Sequence, residues 1–82
     1  MNIRISNIGL DATDNQLLKL FSPFGTVESA MVHRNSLNGR SLKSGMVRMP
    51  VVQQAKQAIT SLDKTVLNGK IISVEELPSE LY

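Results

Sequence analysis

The hydrophobic pattern of this 82-residue chain switches several times between a period of two residues and a period of about 3.6. Side chains alternate across a strand and recur once per turn of a helix, so the two periods indicate strands and helices respectively. The resulting order is strand, helix, strand, strand, helix, strand. A chain of this length can build only one hydrophobic core, so these segments are expected to pack into a single domain.

The first half of the chain contains local signals for a strand, a helix and a second strand. Residues 2–8 alternate between apolar and polar and are predicted to form the first strand. Thr13 offers an N-cap hydroxyl, and Gln16 follows three residues later, as a capping box requires. Apolar residues then recur at helical spacing, namely Leu17, Leu20, Phe21 and Phe24. A second strand is predicted over residues 27–34, with a bulge near Ser29.

The second half repeats this order. A third strand is predicted over residues 42–49, and Pro50 suits the first turn of the helix that follows. The buried stripe of this helix is formed by Ala55, Ala58, Ile59 and Leu62. The dipeptide Asn68-Gly69 favours a two-residue hairpin turn between residues 65–67 and 71–74, and residues 71–74 are predicted to form the last strand.

Two such halves predict an α+β fold of the ferredoxin-like βαββαβ type, with a four-stranded antiparallel sheet and two helices on one face. The domain is expected to span residues 1–77, with a short C-terminal tail at 78–82. The second face of the sheet has no secondary structure of its own to cover it. This open face is therefore the expected functional surface.

Composition excludes several classes of function. The chain has no cysteine, which excludes disulfides, thiolate metal sites and cysteine catalysis, and a single histidine, His33, argues against a zinc site. No phosphate-binding loop or catalytic constellation is present, so we expect neither enzymatic activity nor a metal or cofactor. No stretch approaches the roughly 18 apolar residues of a membrane span, and the N-terminus lacks a signal pattern. We therefore expect a cytoplasmic protein without a membrane partner.

Three stretches of the chain match a known family in their scaffold positions. They are the helix-to-strand junction at 21–27, the second helix at 55–62 and the last strand at 69–74. In these stretches the chain resembles the RNA recognition motif family, and most closely its short, single-domain bacterial members. The match runs from Asn2 to about Glu76. This resemblance implies the fold described above and the binding of single-stranded RNA on the open face.

The family's two functional motifs map onto Ile3–Ile8 and Leu42–Met49. The family usually has aromatic rings at three positions of these motifs, which here hold Arg4, Ser44 and Met46. The usual base-stacking rings are therefore absent. The chain's three aromatic residues are elsewhere, with Phe21 and Phe24 expected in the core and Tyr82 at the last position, where it could fold back over the sheet.

Alternation along the strands predicts which side chains the open face presents. These are Arg4, Ser6, Ser29, Met31, His33, Leu42, Ser44, Met46, Arg48, Ile71, Ser73 and Glu75. The candidate RNA-binding residues on this face and the adjoining loop are Arg4, Ser6, Met31, His33, Arg34, Arg40, Lys43, Ser44, Met46 and Arg48. The arginines could stack on bases or contact phosphate, the methionines could pack against base planes, and the serines could bond base edges or ribose hydroxyls.

Charge supports this hypothesis more by its distribution than by its size. The formal net charge is only +2, but five of the nine basic residues map to the open face or the loop beside it. We expect the acids to concentrate at the C-terminal end of the chain, at Glu75, Glu76 and Glu80. The leading hypothesis is therefore weak binding of single-stranded RNA with low sequence specificity, driven by electrostatics.

The alternative is a protein-interaction or self-association module that keeps the scaffold but has lost RNA binding. A homodimer or a protein partner would use an apolar patch on the sheet, formed by Met31, Leu42, Met46 and Ile71. A second apolar patch, on the helical side, consists of Leu18, Val51 and Val52.

Overall fold

The computed structural model describes residues 1–77, and its elements follow the predicted order. The helices are α1 (Asp14–Phe21) and α2 (Val52–Leu62), and a 3-10 turn (Ser22–Phe24) follows α1. The strands are β1 (Asn2–Ser6), β2 (Ser29–Arg34), β3 (Ser41–Arg48), β4 (Val66–Leu67), β5 (Lys70–Ile71) and β6 (Ser73–Leu77). The tail predicted at 78–82, with Glu80 and Tyr82, lies outside the described residues.

Four strands form one antiparallel sheet in the order β2-β3-β1-β6, and both helices pack against the same face of it. The core between these layers combines sheet residues with one stripe from each helix. Its members include Ile3, Ile5, Val32, Val47, Val74, Leu17, Phe21, Ala55, Ala58 and Leu62, all of them buried. The architecture is the predicted ferredoxin-like α+β sandwich, which leaves the second face of the sheet open.

The start of α1 is fixed by the capping box that the sequence predicts. The Thr13 hydroxyl accepts a hydrogen bond from the Gln16 backbone N–H at 3.2 Å, and the Gln16 side-chain carbonyl accepts one from the Thr13 backbone N–H at 3.1 Å. In the same first turn, Asp14 accepts a hydrogen bond from the backbone N–H of Val32 at 2.8 Å. Because β2 lies at the edge of the sheet, this bond satisfies a donor that no neighbouring strand can reach.

The predicted hairpin turn is also present, but it belongs to a separate two-stranded unit. Asn68 and Gly69 both have positive φ angles, 51° and 80°, as the tight turn between β4 and β5 requires. Ile72 separates β5 from β6, because its backbone hydrogen-bonds to Lys64 and Thr65 rather than to a strand of the sheet. The last strand of the sheet is therefore residues 73–77, and the predicted strand at 71–74 was placed too early.

The predicted irregularity near Ser29 is present: Ser29 pairs with Arg48, and the Glu28 backbone N–H also donates to the Arg48 carbonyl at 2.8 Å. Val27 and Ala30 therefore both pack against the core. A second irregularity, which was not predicted, lies between Val32 and Arg34, where the facing segment of β3 is two residues longer.

One further local prediction was wrong. Pro50 precedes α2 instead of lying in its first turn. Val51 has an extended backbone and its carbonyl accepts from the Ala55 N–H at 3.0 Å, so Val51 is the N-cap and Pro50 lies outside the helix.

Candidate nucleic-acid interface

The pairing of the strands arranges the open-face side chains in three rows that run across the sheet. The first row holds Ser29, Arg48, Asn2 and Leu77. The central row holds Met31, Met46, Arg4 and Glu75. The third row holds His33, Ser44, Ser6 and Ser73. Sequence alternation thus predicted ten of these twelve residues. Asn2 and Leu77 were not predicted, and the predicted Leu42 and Ile71 lie outside the three rows. The order within each row follows only from the observed register.

The central row is the most accessible part of the open face that carries both apolar and charged groups. Met31 and Arg4 are exposed, and Met46 is half-buried between them. Two flexible thioethers therefore lie beside a planar guanidinium, in the region where the resemblance led us to expect rings. Methionine adapts its shape to a partner, and a guanidinium can stack on a base, so this row can support a base plane without an aromatic residue.

The third row is a line of hydroxyl groups. Nδ1 of His33 lies 3.2 Å from the hydroxyl oxygen of Ser44, which restrains both side chains. Ser6 continues this row on β1 and the exposed Ser73 completes it on β6. A hydroxyl can both donate and accept, so this row can bond base edges or ribose 2′-hydroxyl groups.

The first row contains an arginine whose charge is already paired. Nε of Arg48 lies 2.9 Å from a carboxylate oxygen of Glu28, and both side chains are more than half exposed. In addition, Glu75 lies opposite Arg4 in the central row. The position of Glu75 late in the sequence therefore does not separate it from the basic residues, and each of the two arginines has a carboxylate beside it.

The basic residues around the β2–β3 connection differ in how far they are free to contact a ligand. Arg34 does not lie on the open face, and its guanidinium donates to the carbonyls of Gly39 and Ala12, each at 3.4 Å. It therefore connects this loop to the segment before α1. Arg40 and Lys43 are exposed near the start of β3, and Lys43 adopts a left-handed backbone with φ of 64°.

A cavity of about 220 Å³ adjoins this end of the sheet. Its polar lining consists of Asn7, Asp11, Lys43, Asn68 and Lys70. Lys70 was not among the predicted site residues. It lies near Lys43 only because of the position in which the β4–β5 hairpin packs against the sheet. The amide of Asn7 helps to fix that docking by donating to the carbonyl of Ile71 at 2.7 Å.

The residues of the predicted apolar sheet patch do not form one row. Met31 and Met46 are neighbours in the central row, but Leu42 lies further along β3 and Ile71 belongs to the β4–β5 hairpin. On the helical side, Leu18, Val51 and Val52 are exposed as expected.

Within residues 1–77, no helix could span a membrane and no group of three or more acidic or histidine side chains could hold a metal ion.

Comparison with known proteins identifies the family. The family model described as RNA recognition motif matches residues 3–73, which is most of the chain. The chain belongs to the RNA recognition motif family. The matched range contains both functional stretches, Ile3–Ile8 and Leu42–Met49, and with them the substituted positions Arg4, Ser44 and Met46.

Curated relatives of this RNA recognition motif domain are much longer proteins. Polyadenylate-binding protein 2 of Arabidopsis thaliana is 34% identical over 73 residues, covering 89% of this chain and 11% of the relative. Scaffold attachment factor B1 of Mus musculus is 35% identical over 79 residues, covering 96% of this chain and 8% of the relative. The chain thus spans about a tenth of the length of these relatives. Both relatives are eukaryotic, and the resemblance to bacterial members stays a prediction.

Solved structures of the family superpose closely on this chain. The crystal structure of RNA binding protein PG1 matches with a TM-score of 0.92 and 31% identity, over 95% of this chain and 94% of that one. A complex of the Sex-lethal protein with RNA matches with a TM-score of 0.83 and 28% identity, over 90% of this chain and 46% of that one.

Proposed function

We propose that this chain binds single-stranded RNA on the open face of its sheet, without catalysis. The observation that carries the proposal is the accessible central row, in which Arg4 and Met46 occupy two of the three ring positions and Met31 lies beside Met46. Membership of the RNA recognition motif family supports it, as do relatives named for RNA or polyadenylate binding. Cytoplasmic localisation, expected from the sequence, stays a prediction.

The central row would supply the base-stacking contribution to this binding. A base lying over Arg4 and Met46 contacts one planar cation and one polarizable thioether. Stacking of a base on an aromatic ring contributes about 1–3 kcal/mol, and methionine provides a less rigid surface than a ring. Binding that depends on these groups is therefore expected to be weaker than binding on a sheet with aromatic residues.

The surroundings of the central row would supply hydrogen bonds and charge. Ser6, Ser44 and Ser73 lie in the adjacent row, within reach of base edges or ribose hydroxyls. Arg40 and Lys43 lie at the start of β3, and no ion pair holds either of them within residues 1–77. Such free cations are suited to phosphate groups of an RNA strand that crosses the sheet.

The test compares the two arginines of the open face. Arg4→Ala is expected to weaken RNA binding about tenfold, which corresponds to about 1.4 kcal/mol, because it removes the central planar cation. Arg48→Ala should weaken it less, because Glu28 already compensates the charge of Arg48. Fluorescence anisotropy with short single-stranded RNAs at low salt measures both effects.

The matched control is Lys56→Ala, which removes a charge from the exposed surface of α2, on the other side of the sheet. It should leave the affinity nearly unchanged. An amide NMR titration of the unmodified protein should shift signals of Arg4, Ser44 and Met46 and leave those of α2 in place. Unchanged affinity in Arg4→Ala, or RNA-induced shifts confined to the helices, would contradict binding on the open face.

A further inference from the structure

Glu75 holds an unusual position for an acidic residue on a surface that binds RNA. It is exposed in the central row, directly opposite Arg4 on the neighbouring strand. Within residues 1–77 the ion pair that forms is Arg48–Glu28, so Arg4 and Glu75 lie side by side without ion-pair contact. Both charged groups are therefore available to a ligand on the open face.

A carboxylate beside the path of an RNA strand restricts what can lie next to it. It repels phosphate and, being ionised, can only accept hydrogen bonds. The favourable neighbour is a base edge with donor groups, since hydrogen bonds to an ionised acceptor are roughly twice as strong as neutral ones. Guanine has two adjacent donors on its Watson–Crick edge, N1–H and the 2-amino group, which match the two oxygens of one carboxylate. Adenine, cytosine and uracil each offer fewer donors there.

We propose that Glu75 selects guanine at the base that lies over Arg4, so that the preferred ligand is single-stranded RNA containing guanine. This inference rests on the proposed function. The Glu75 carboxylate accepts from N1–H and the 2-amino group of the base, while Arg4 supports the base plane and offsets the charge of Glu75. The low sequence specificity expected from the missing rings then applies to the other nucleotides of the RNA. At one position, the Glu75 carboxylate selects the base.

The test uses uridine heptamers that differ only at the central nucleotide, which is guanosine, inosine, adenosine or cytidine. Wild-type protein should bind the guanosine heptamer roughly tenfold more tightly than the adenosine heptamer, as expected for one bidentate pair. Inosine keeps N1–H and lacks the 2-amino group, so its affinity should lie between the two. Glu75→Gln should abolish the guanosine preference while binding the adenosine heptamer at least as tightly as wild type does.

The adjacent residue Glu76 provides a matched control. It is exposed like Glu75, but it lies opposite the buried Ile3 and therefore on the helix side of the sheet. Glu76→Gln makes the same change in net charge and should retain the guanosine preference. Because Glu75 is exposed, neither Glu75→Gln nor a second variant, Glu75→Ala, is expected to unfold the domain, and circular dichroism checks this.

The possible results separate this inference from the proposed function. Equal binding of all heptamers by the wild type would overturn guanine selection and leave RNA binding intact. A guanosine preference that persists in both Glu75 variants would overturn the role of Glu75. Failure of every heptamer to bind at low salt would overturn both proposals.

Discussion

At the scale of single residues, Gly45 lies where β3 passes closest to its neighbours. A Cβ atom at this position would lie 2.7 Å from the carbonyl oxygen of Met31 and 2.8 Å from Cδ1 of Leu17. The Met31 carbonyl of β2 and the Leu17 side chain of α1 thus occupy the space that a side chain at Gly45 would need. The absence of a side chain at Gly45 therefore matters both to packing and to the interface.

We predict that Gly45→Ala lowers the free energy of unfolding by about 1–3 kcal/mol, because the added methyl group overpacks a site bounded partly by backbone. Urea unfolding followed by circular dichroism measures the change. Gly9→Ala is the control, since its new Cβ would meet the carboxylate end of Asp11 at 2.8 Å, an exposed side chain that can rotate away, and would lie at an ordinary contact distance of 3.9 Å from Cγ of Lys70. Equal stability of the two variants would show that the Met31 carbonyl does not limit the space at Gly45.

Arg4 and Arg48 show what the sequence could predict about individual site residues and what it could not. Alternation along a strand places both on the open face, because the direction of a side chain depends only on its position within its own strand. Their electrostatic surroundings depend on other strands. Glu28 reaches Arg48, and Glu75 reaches the position opposite Arg4, through pairings that only the register defines.

At the scale of elements, the end of α2 contains a residue in an unfavourable backbone conformation. Lys64 follows the helix with φ of 65°, and its N–H donates to the carbonyl of Ile72 at 2.8 Å. A left-handed conformation costs a residue with a side chain about 1–2 kcal/mol, and glycine is the usual residue just beyond a helix end. The chain therefore ends this helix with strain that a glycine would remove.

We predict that Lys64→Gly raises the free energy of unfolding by about 0.5–1 kcal/mol, after allowing for the extra freedom of glycine in the unfolded chain. Thermal and urea unfolding measure it. Lys56→Gly, within the same helix, is the matched control and should lower the free energy of unfolding by about 1 kcal/mol. A loss of stability in Lys64→Gly would mean that the lysine side chain contributes more than its backbone strain costs.

Which elements the sequence could predict depends on how local their causes are. The Thr13 capping box and the Asn68-Gly69 turn were predicted because neighbouring residues alone determine them. The irregularity between Val32 and Arg34 was not predicted, because it arises from the unequal lengths of two strands that pair across a loop. The hairpin around Asn68-Gly69 was predicted, but its separation from the main sheet was not, since Ile72 bonds to the residues that follow α2.

At the scale of the whole molecule, the small net charge and the interface lead to different expectations for salt dependence. The formal net charge of +2 is too small to attract RNA by itself. Of the predicted RNA-binding cations, Arg48 is paired with Glu28, and Arg34 donates to backbone carbonyls. Within residues 1–77, this leaves Arg4, Arg40 and Lys43 without an ion pair or such a bond. Binding should therefore neutralise about three phosphates at most, fewer than the count of basic residues suggests.

We predict that the logarithm of the binding constant falls with the logarithm of salt concentration with a slope of about −2, because each neutralised phosphate of a single strand contributes about −0.7. Fluorescence anisotropy between about 50 and 200 mM salt should then show a loss of affinity of roughly fifteenfold. Lys43→Ala should make the slope shallower by about 0.7, whereas Lys56→Ala, on the helical side, should leave it unchanged. A slope near zero would mean that base contacts alone hold the strand. A slope near −5 would mean that Arg48 releases Glu28 and that the helical side also contacts phosphate, so that the interface extends well beyond the open face.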